Sequence, residues 1–157
     1  WNDTTPTDTL ITLGNGGNVN SSSGSSTYIM YAFASERGFS KMGGYRGNAS
    51  STDGPFIYTG FRPAYVVIKA VNQSTNWIIS DSKREGYNVD NDPLYVDVDV
   101  AEGTADNLDL LSNGFKIRNG SGGGSVNEIN TSGEDYLYMA FAEFPIVSSN
   151  SKSGTAR

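Results

Sequence analysis

The sequence predicts an all-β protein, an antiparallel β-sandwich of the jelly-roll or lectin-like type. Three features of its 157 residues favour this fold class. Hydrophobic residues make up only 36% of the chain, glycine occurs 19 times, and short apolar runs alternate with segments rich in Gly, Ser, Asn and Thr. This composition suits short strands joined by many turns better than long amphipathic helices.

The first elements are short and are separated by turn residues. Residues 10–13 form the first strand candidate, and a loop rich in Gly, Asn and Ser follows it. The run YIMYAFA at residues 28–34 is apolar at nearly every position, as expected of a strand that is buried on both faces. A helix is the competing interpretation of so short a run, but the Gly and Ser flanks and the aromatic content favour a strand.

The middle of the chain contains three further strand candidates, residues 56–59, 64–70 and 77–80. We expect Pro63 at the start of the second of them, because proline has no amide hydrogen to donate inside a sheet. Trp77 adjoins two isoleucines, and large aromatic side chains are mostly buried, so we expect Trp77 to belong to the core.

The last third contains an alternating strand, a hairpin and a final apolar strand. In YVDVDV, residues 95–100, three valines point to one face and the two aspartates with Tyr95 to the other, which predicts a half-exposed strand with an acidic outer face. Asn113 and Gly114 are a strong turn signal between residues 108–111 and 115–118. Residues 136–144, YLYMAFAEF, form the last strand.

The apolar phrase YIMYAFASE at residues 28–36 nearly recurs in that last strand. Each copy follows a strand, the pair Val-Asn and a polar loop in the same order, which argues for duplication. We therefore expect residues 1–42 to be the C-terminal half of an upstream repeat unit, 43–150 a complete β-sandwich module and 151–157 a flexible polar tail. Both phrases should then be central, buried strands. The alternative is that two buried strands of one sandwich converged on similar apolar letters.

The residue types present narrow the range of functions. The chain has no histidine and no cysteine, so Ser-His-Asp and Cys-His pairs and zinc sites built on these ligands are excluded. A formal net charge of −6 repels phosphate backbones, so we expect no nucleic-acid partner. No apolar run approaches the ~18 residues of a membrane span, so we expect no membrane insertion. We also expect no cofactor and no enzymatic activity.

Several stretches carry a resemblance to a known family, among them WNDTTPT, YIMYAFASERGFSKMGGYRGN, DGPFIYTGFRPAYVVIK, NWIISDS, LSNGFKIRN and DYLYMAFAE. From Trp1 to about Pro145 the chain resembles a β-rich domain found near the C-terminal ends of tail-fibre and other virion structural proteins of tailed bacteriophages, particularly marine ones.

The resemblance implies a non-enzymatic structural module of a tail fibre, spike or surface decoration, located on the virion and contributing to host attachment. Its partners would be other virion subunits, in a homo-oligomer such as a trimer, and no catalytic residue is carried over. Because the chain begins at Trp1 rather than Met, we expect a processed product or a segment of a longer polypeptide.

A carbohydrate-binding module is the alternative function, with a host surface glycan as the ligand. Sugar-binding sites stack pyranose rings on exposed aromatic side chains and hold the hydroxyls with Asp, Asn and Arg. Asp81, Arg84, Tyr87 and Asn88 offer these groups within one hairpin-like stretch and are the candidate glycan-binding residues. A bacterial surface adhesin or appendage subunit is a further alternative, because donor-strand pairing gives a similar sequence.

Five acidic residues close together in the sequence could supply oxygen ligands to calcium: Asp97, Asp99, Glu102, Asp106 and Asp109. They lack the Asp-x-Asp-x-Asp-Gly pattern of a dedicated calcium loop, so the solvated face of a strand is the favoured interpretation and we expect no metal site. A pair of these carboxylates acting as in a glycosidase is a minor alternative.

Overall fold

The computed structural model describes residues 4–21, 26–50, 52–84, 88, 92–104, 107–118 and 126–145. The chain divides into two compact units, Trp1–Phe33 and Ala34–Arg157. Every strand found among the described residues belongs to the second unit. None of the helices in these ranges is long and apolar enough to cross a membrane.

The second unit contains eight strands and a single helical turn within the described ranges. In chain order they are β1 (Ser40–Arg46), β2 (Phe56–Tyr58), β3 (Pro63–Ala70), β4 (Ile78–Asp81), β5 (Leu94–Tyr95), β6 (Leu108–Leu111), β7 (Gly114–Ile117), α1 (Val126–Ile129) and β8 (Asp135–Ala142). One antiparallel sheet has the order β1-β8-β3-β4-β5 and the other the order β2-β7-β6. This all-β architecture of two antiparallel sheets is consistent with a β-sandwich and confirms the predicted fold class.

Both sheets contribute side chains to one hydrophobic core. Its fully buried members include Ile68 and Tyr136 from the five-stranded sheet and Phe115 and Ile117 from the three-stranded sheet. Aromatic contacts join the two sheets, because the rings of Phe115 and Tyr138 meet edge to face with their centroids 5.3 Å apart. The core therefore lies between the sheets, as in a sandwich.

Local signals in the sequence located several elements correctly. Pro63 is the first residue of β3, and Asn113 lies in the two-residue turn that joins β6 to β7, while Gly114 is the first residue of β7. The last apolar phrase forms β8, which lies between β1 and β3 in the larger sheet. Of the strand predicted at residues 136–144, residues 136–142 lie in β8, which is central in the sheet as predicted but is buried on one face.

The prediction for the first apolar phrase is wrong. Residues 28–34 form no strand, and the side chains of Ile29, Met30 and Tyr31 are 82%, 61% and 79% exposed. Residues 10–13 form no strand either. An apolar run becomes a buried strand only where neighbouring strands pair with it, and the described part of the first unit contains none. The division of the chain at residue 42 stays a prediction, although that position lies inside β1.

Two further predictions are wrong, the alternating strand at residues 95–100 and the burial of Trp77. Residues 95–100 do not form an alternating strand, because β5 ends at Tyr95 and Val96, Val98 and Val100 are all exposed. Among the described residues, Leu94 and Tyr95 alone pair with β4 at the edge of the sheet, and the valines beyond them are exposed. Trp77 lies just before β4 with 43% of its surface exposed, and Ile78 next to it fills the core instead.

Strand β1 has no counterpart among the predicted elements, because its sequence SKMGGYR contains charges and two glycines. Its pairing with β8 explains why glycine is needed there. Gly43 is the cross-strand partner of Tyr138, and a Cβ atom at residue 43 would lie 2.9 Å from the Tyr138 hydroxyl oxygen. The Tyr138 ring therefore packs directly over Gly43, where any side chain would force the ring to move.

Candidate functional site

The predicted glycan-binding residues that the structure describes are turned toward other parts of the protein. Arg84 Nε donates a hydrogen bond to Asp81 Oδ2 at 2.7 Å, and the same guanidinium contacts the Glu102 carboxylate and the carbonyl oxygen of Asp92. The Asn88 side-chain amide donates to the Leu110 carbonyl at 3.0 Å and accepts from the Leu110 amide at 2.9 Å. Tyr87 lies outside the described residues.

The electrostatics of Asp81 agree with a structural ion pair. Partial burial raises the pKa of Asp81, but the hydrogen bond from Arg84, the amide hydrogen bond from Lys83 and the charge of Arg84 together outweigh burial. The pKa of Asp81 therefore lies below its ordinary value. Asp81, Arg84 and Asn88 connect the segment after β4 to Glu102 and β6, which leaves these side chains little capacity to bind a sugar.

The acidic residues considered for calcium are dispersed among different partners. Asp97 accepts a hydrogen bond from the Trp77 amide at 3.0 Å, Glu102 pairs with Arg84, and Asp109 accepts from Arg118 Nε at 2.7 Å. Asp99 is exposed, and Asp106 lies outside the described residues. Among the residues that the structure describes, no group of three or more acidic side chains is arranged to hold a metal ion.

The outward side of the five-stranded sheet carries an apolar groove of about 390 Å³, the outer groove, whose apolar lining side chains include Val67, Val71, Trp77, Leu137 and Met139. Strand pairing brings these side chains together: Val67 is the cross-strand partner of Met139, and Lys69 that of Leu137. The Lys69 ammonium is directed to the carbonyls of Ala70 and Gln73 at 2.9 and 3.2 Å.

Further apolar side chains continue this surface along β8 beyond the outer groove. Phe141 lies on the same face of β8 as Leu137 and Met139, and its ring contacts those of Tyr65 and Phe39 at centroid distances of 6.2 and 6.3 Å. The Phe39 side chain is 43% exposed. The outward side of the sheet is therefore apolar over much of the length of β8.

Strand β8 is apolar on both faces but buried on only one. Tyr136, Tyr138 and Ala140 lie in the core, whereas Leu137, on the opposite face, is 59% exposed. A strand that faces water on one side normally alternates apolar and polar residues, and a continuous apolar run is typical of a strand covered on both sides. The second apolar face of β8 therefore has the composition of a covered surface.

A second exposed apolar element, the apolar segment, occupies residues 28–33 of the first unit. Tyr28 is fixed within that unit, because its hydroxyl donates to the Gly17 carbonyl at 2.7 Å and accepts from the Ser21 amide at 2.9 Å. Beyond Tyr28, the side chains of Ile29, Met30, Tyr31 and Phe33 are between 56% and 82% exposed. Contiguous exposed apolar side chains of this kind mark interaction surfaces.

Comparison with known proteins identifies the family. The profile of the domain of unknown function DUF7483 matches residues 1–145 of the chain. The chain belongs to the DUF7483 family. The matched region includes both the apolar segment and all the strands of the two sheets, so both exposed apolar surfaces lie within the DUF7483 domain. No curated protein and no solved structure matches the chain.

The outer groove was missed by sequence reasoning, although a signal for it existed. The sequence predicts a central, buried strand for the phrase YLYMAFAEF, and the structure buries one face of β8 and leaves Leu137 exposed on the other. Assigning alternate residues of a completely apolar strand to two faces would have identified a second apolar surface. Trp77 could not have been assigned to it, because its position depends on how β3, β4 and β8 assemble.

Proposed function

We propose that the chain is a non-enzymatic structural module of a bacteriophage virion, in a tail fibre, spike or surface decoration, and that it assembles with further copies of itself. The observation that carries the proposal is that β8 is apolar on both faces, while Leu137 on its outward face is exposed among the described residues of the second unit. The resemblance to virion structural proteins supplies the setting, a particle in which such modules are held by neighbouring subunits.

The occupant we propose for the outer groove is the apolar segment of a second copy. Both surfaces consist of large apolar side chains, with Trp77 and Leu137 in the groove and Ile29 and Phe33 in the segment. Burying apolar surface contributes roughly 25 cal/mol per Å², so several such side chains supply a substantial driving force for association. An exchange of one element between identical copies leads readily to a closed, symmetric oligomer.

The test measures the mass of the chain in solution by sedimentation velocity over a range of concentrations. We expect a homo-oligomer for the unmodified chain. Leu137→Lys in the outer groove and Ile29→Lys in the apolar segment should each dissociate it, because each places a charge in an apolar contact. Val98→Lys is the matched control, since Val98 is exposed but lies outside both surfaces, and this variant should assemble normally.

Self-assembly of the chain and its presence in a virion are tested by different experiments. A chain that stays monomeric at high concentration, or an oligomer that Leu137→Lys and Ile29→Lys leave intact, would contradict the proposed assembly. The virion setting is tested by mass spectrometry and antibody labelling of purified phage particles whose genome encodes the chain. Particles that lack the protein would exclude a structural role in the virion.

A further inference from the structure

A polar pocket of about 310 Å³ lies where the turn before β1 meets the end of β2, and it shares no lining residue with the outer groove. The side chains that line it and bear on binding are Glu36, Arg37, Lys41 and Tyr58. The volume falls at the lower end of the ~300–1,000 Å³ range of small-molecule sites. It is separate from the residues that the sequence suggested for glycan binding.

The backbone of the pocket is held rigidly on both sides. On one side, Glu36 and Ser40 exchange backbone hydrogen bonds of 2.9 Å around a turn in which Gly38 has a φ of 74°. On the other side, the amides of Thr59 and Gly60 both donate to the Asn113 carbonyl, and Gly60 has a φ of 86°. These positive φ values suit glycine, and the two turns preorganise the walls of the pocket.

The polar side chains of the pocket fall into two groups. The hydroxyls of Ser35, Ser40 and Thr59 are hydrogen-bonded to the backbone and hold the turns in place. The charged groups of Glu36, Arg37 and Lys41 form no ion pair within the part of the chain that the structure describes. Two cations and one carboxylate therefore remain available to a ligand.

An exposed aromatic ring completes the pocket. Tyr58 is 60% exposed, and the Lys41 ammonium lies 5.9 Å from the centre of its ring. A tyrosine ring offers a flat apolar surface with a polar hydroxyl at its tip, which suits contact with the face of a sugar ring. The chain as a whole has a net charge of −6, so two cations close together stand out from the rest of the surface. Next to the Tyr58 ring they form a local site for a negatively charged group.

We propose that this pocket binds a carboxylate-bearing sugar, a uronic or nonulosonic acid residue of a cell-surface glycan. The pyranose ring packs on Tyr58, Arg37 and Lys41 hold the carboxylate, and the Glu36 carboxylate accepts hydrogen bonds from ring hydroxyls. A simple anion would use the two cations but neither Tyr58 nor Glu36, and a neutral sugar would use Tyr58 and Glu36 but not the cations. The site is independent of the proposed assembly, because the pocket shares no lining residue with the outer groove or with the apolar segment.

The test is a titration of the ¹⁵N-labelled chain, followed by NMR, with four probes: glucuronic acid, glucose, acetate and inorganic phosphate. We expect glucuronic acid to shift the amide signals around the pocket and to bind roughly tenfold more tightly than glucose or acetate. Tyr58→Ala and the double variant R37Q/K41Q should each weaken glucuronic acid binding by about tenfold. Both changes are at side chains that hold no ion pair of the fold, and dispersed NMR spectra verify that the variants are folded.

Two matched controls separate the pocket from general effects of charge and of exposed rings. Arg46→Gln removes a cation at the opposite end of β1, Phe144→Ala removes an exposed aromatic ring that lies outside the polar pocket, the outer groove and the apolar segment, and neither should alter binding. Equal binding of acetate or phosphate would overturn the proposal in favour of a simple anion site. Equal binding of glucose, or a folded chain that responds to no sugar, would overturn it as well.

Discussion

Arg118 and Asp109 form the most buried ion pair among those that the structure describes. The Asp109 side chain is 7% exposed, and its Oδ1 atom has no hydrogen-bond partner, so Arg118 is the group that compensates its charge. Arg118→Met should lower the free energy of unfolding by about 2 kcal/mol. Removing one member of a fully buried pair typically costs about 3–5 kcal/mol. The expected loss is smaller here because the Arg118 side chain is 36% exposed.

The control for this prediction is Arg46→Met. Arg46 contacts Asp135 at 3.9 Å, and both side chains are more than half exposed, so the change should cost less than about 1 kcal/mol. Urea unfolding of the two variants and the unmodified chain measures both values. If Arg118→Met and Arg46→Met lowered the free energy of unfolding equally, burial of Asp109 would not determine how much its ion pair contributes to stability.

Asp81 should make the stability depend on pH in the acidic range. Its pKa is lower in the folded protein than the ~3.9 of an unfolded aspartate, because Arg84 and the Lys83 amide stabilise the charged form more than partial burial opposes it. The contribution of Asp81 is thus fully present above pH ~4 and is lost as the pH falls through the folded pKa. The stability difference between the unmodified chain and Asp81→Asn should therefore shrink as the pH is lowered.

Urea unfolding at a series of acidic pH values checks this dependence. Arg84→Gln should reduce the same pH dependence, since it removes the cation that stabilises the ionised Asp81. If the stabilities of the unmodified chain and Asp81→Asn ran parallel through the acidic range, the pairing of Asp81 with Arg84 would not contribute to stability in solution.

At the scale of single elements, the start of β4 tests which of two neighbouring apolar side chains supports the fold. Ile78 is 1% exposed and belongs to the core, whereas Trp77 is 43% exposed and lines the outer groove. Ile78→Ala should destabilise the chain by about 3 kcal/mol, in the range typical of buried isoleucine. Trp77→Ala should cost less than half of that in thermal or urea unfolding of the monomer. If Trp77→Ala lowered the stability by more than half of the value for Ile78→Ala, Trp77 would belong to the core as the sequence predicts.

The elements that the sequence located correctly depend on local chemistry. The position of Pro63 follows from the backbone preference of proline, and the Asn113-Gly114 pair indicated the hairpin of β6 and β7, although Gly114 itself belongs to β7. Strand β1 was not predicted, because its two glycines are favourable only next to β8, where Gly43 meets Tyr138. Gly43 and Tyr138 lie 95 positions apart in the sequence, and strand propensity gives no indication of so distant a partner.

The candidate sites illustrate the same limit. Arg84 pairs with Glu102 and Asn88 with Leu110, so side chains that look available in the sequence are engaged by residues 18 and 22 positions away. The polar pocket joins the turn around Gly38 to the end of β2, which are likewise apart in sequence. Residue types alone indicated which chemistry the chain could offer, and only the arrangement of strands decides which groups remain available.

At the scale of the whole molecule, the boundary of the folded unit is the feature to test. The second unit begins at Ala34, and contacts on both sides of residue 42 stabilise its first strand. The buried Ser40 hydroxyl donates to the Ala34 carbonyl at 2.8 Å, and the Ser35 hydroxyl accepts from the Met42 amide at 3.0 Å. Within β1, residues 40–42 pair with the end of β8, at Met139 to Phe141.

A chain that begins at residue 34 should therefore keep its fold, with a thermal midpoint close to that of the longer chain. A chain that begins at residue 43 should melt at least about 5 °C lower, because each kcal/mol lost shifts the midpoint by several degrees in a domain of this size. The deletion removes three of the seven residues of β1 and leaves part of β8 without its neighbour. Circular dichroism melts of the two shortened chains measure this difference. Equal midpoints would instead favour the boundary that the repeated phrase suggested, since residues 43–150 would then form a complete module.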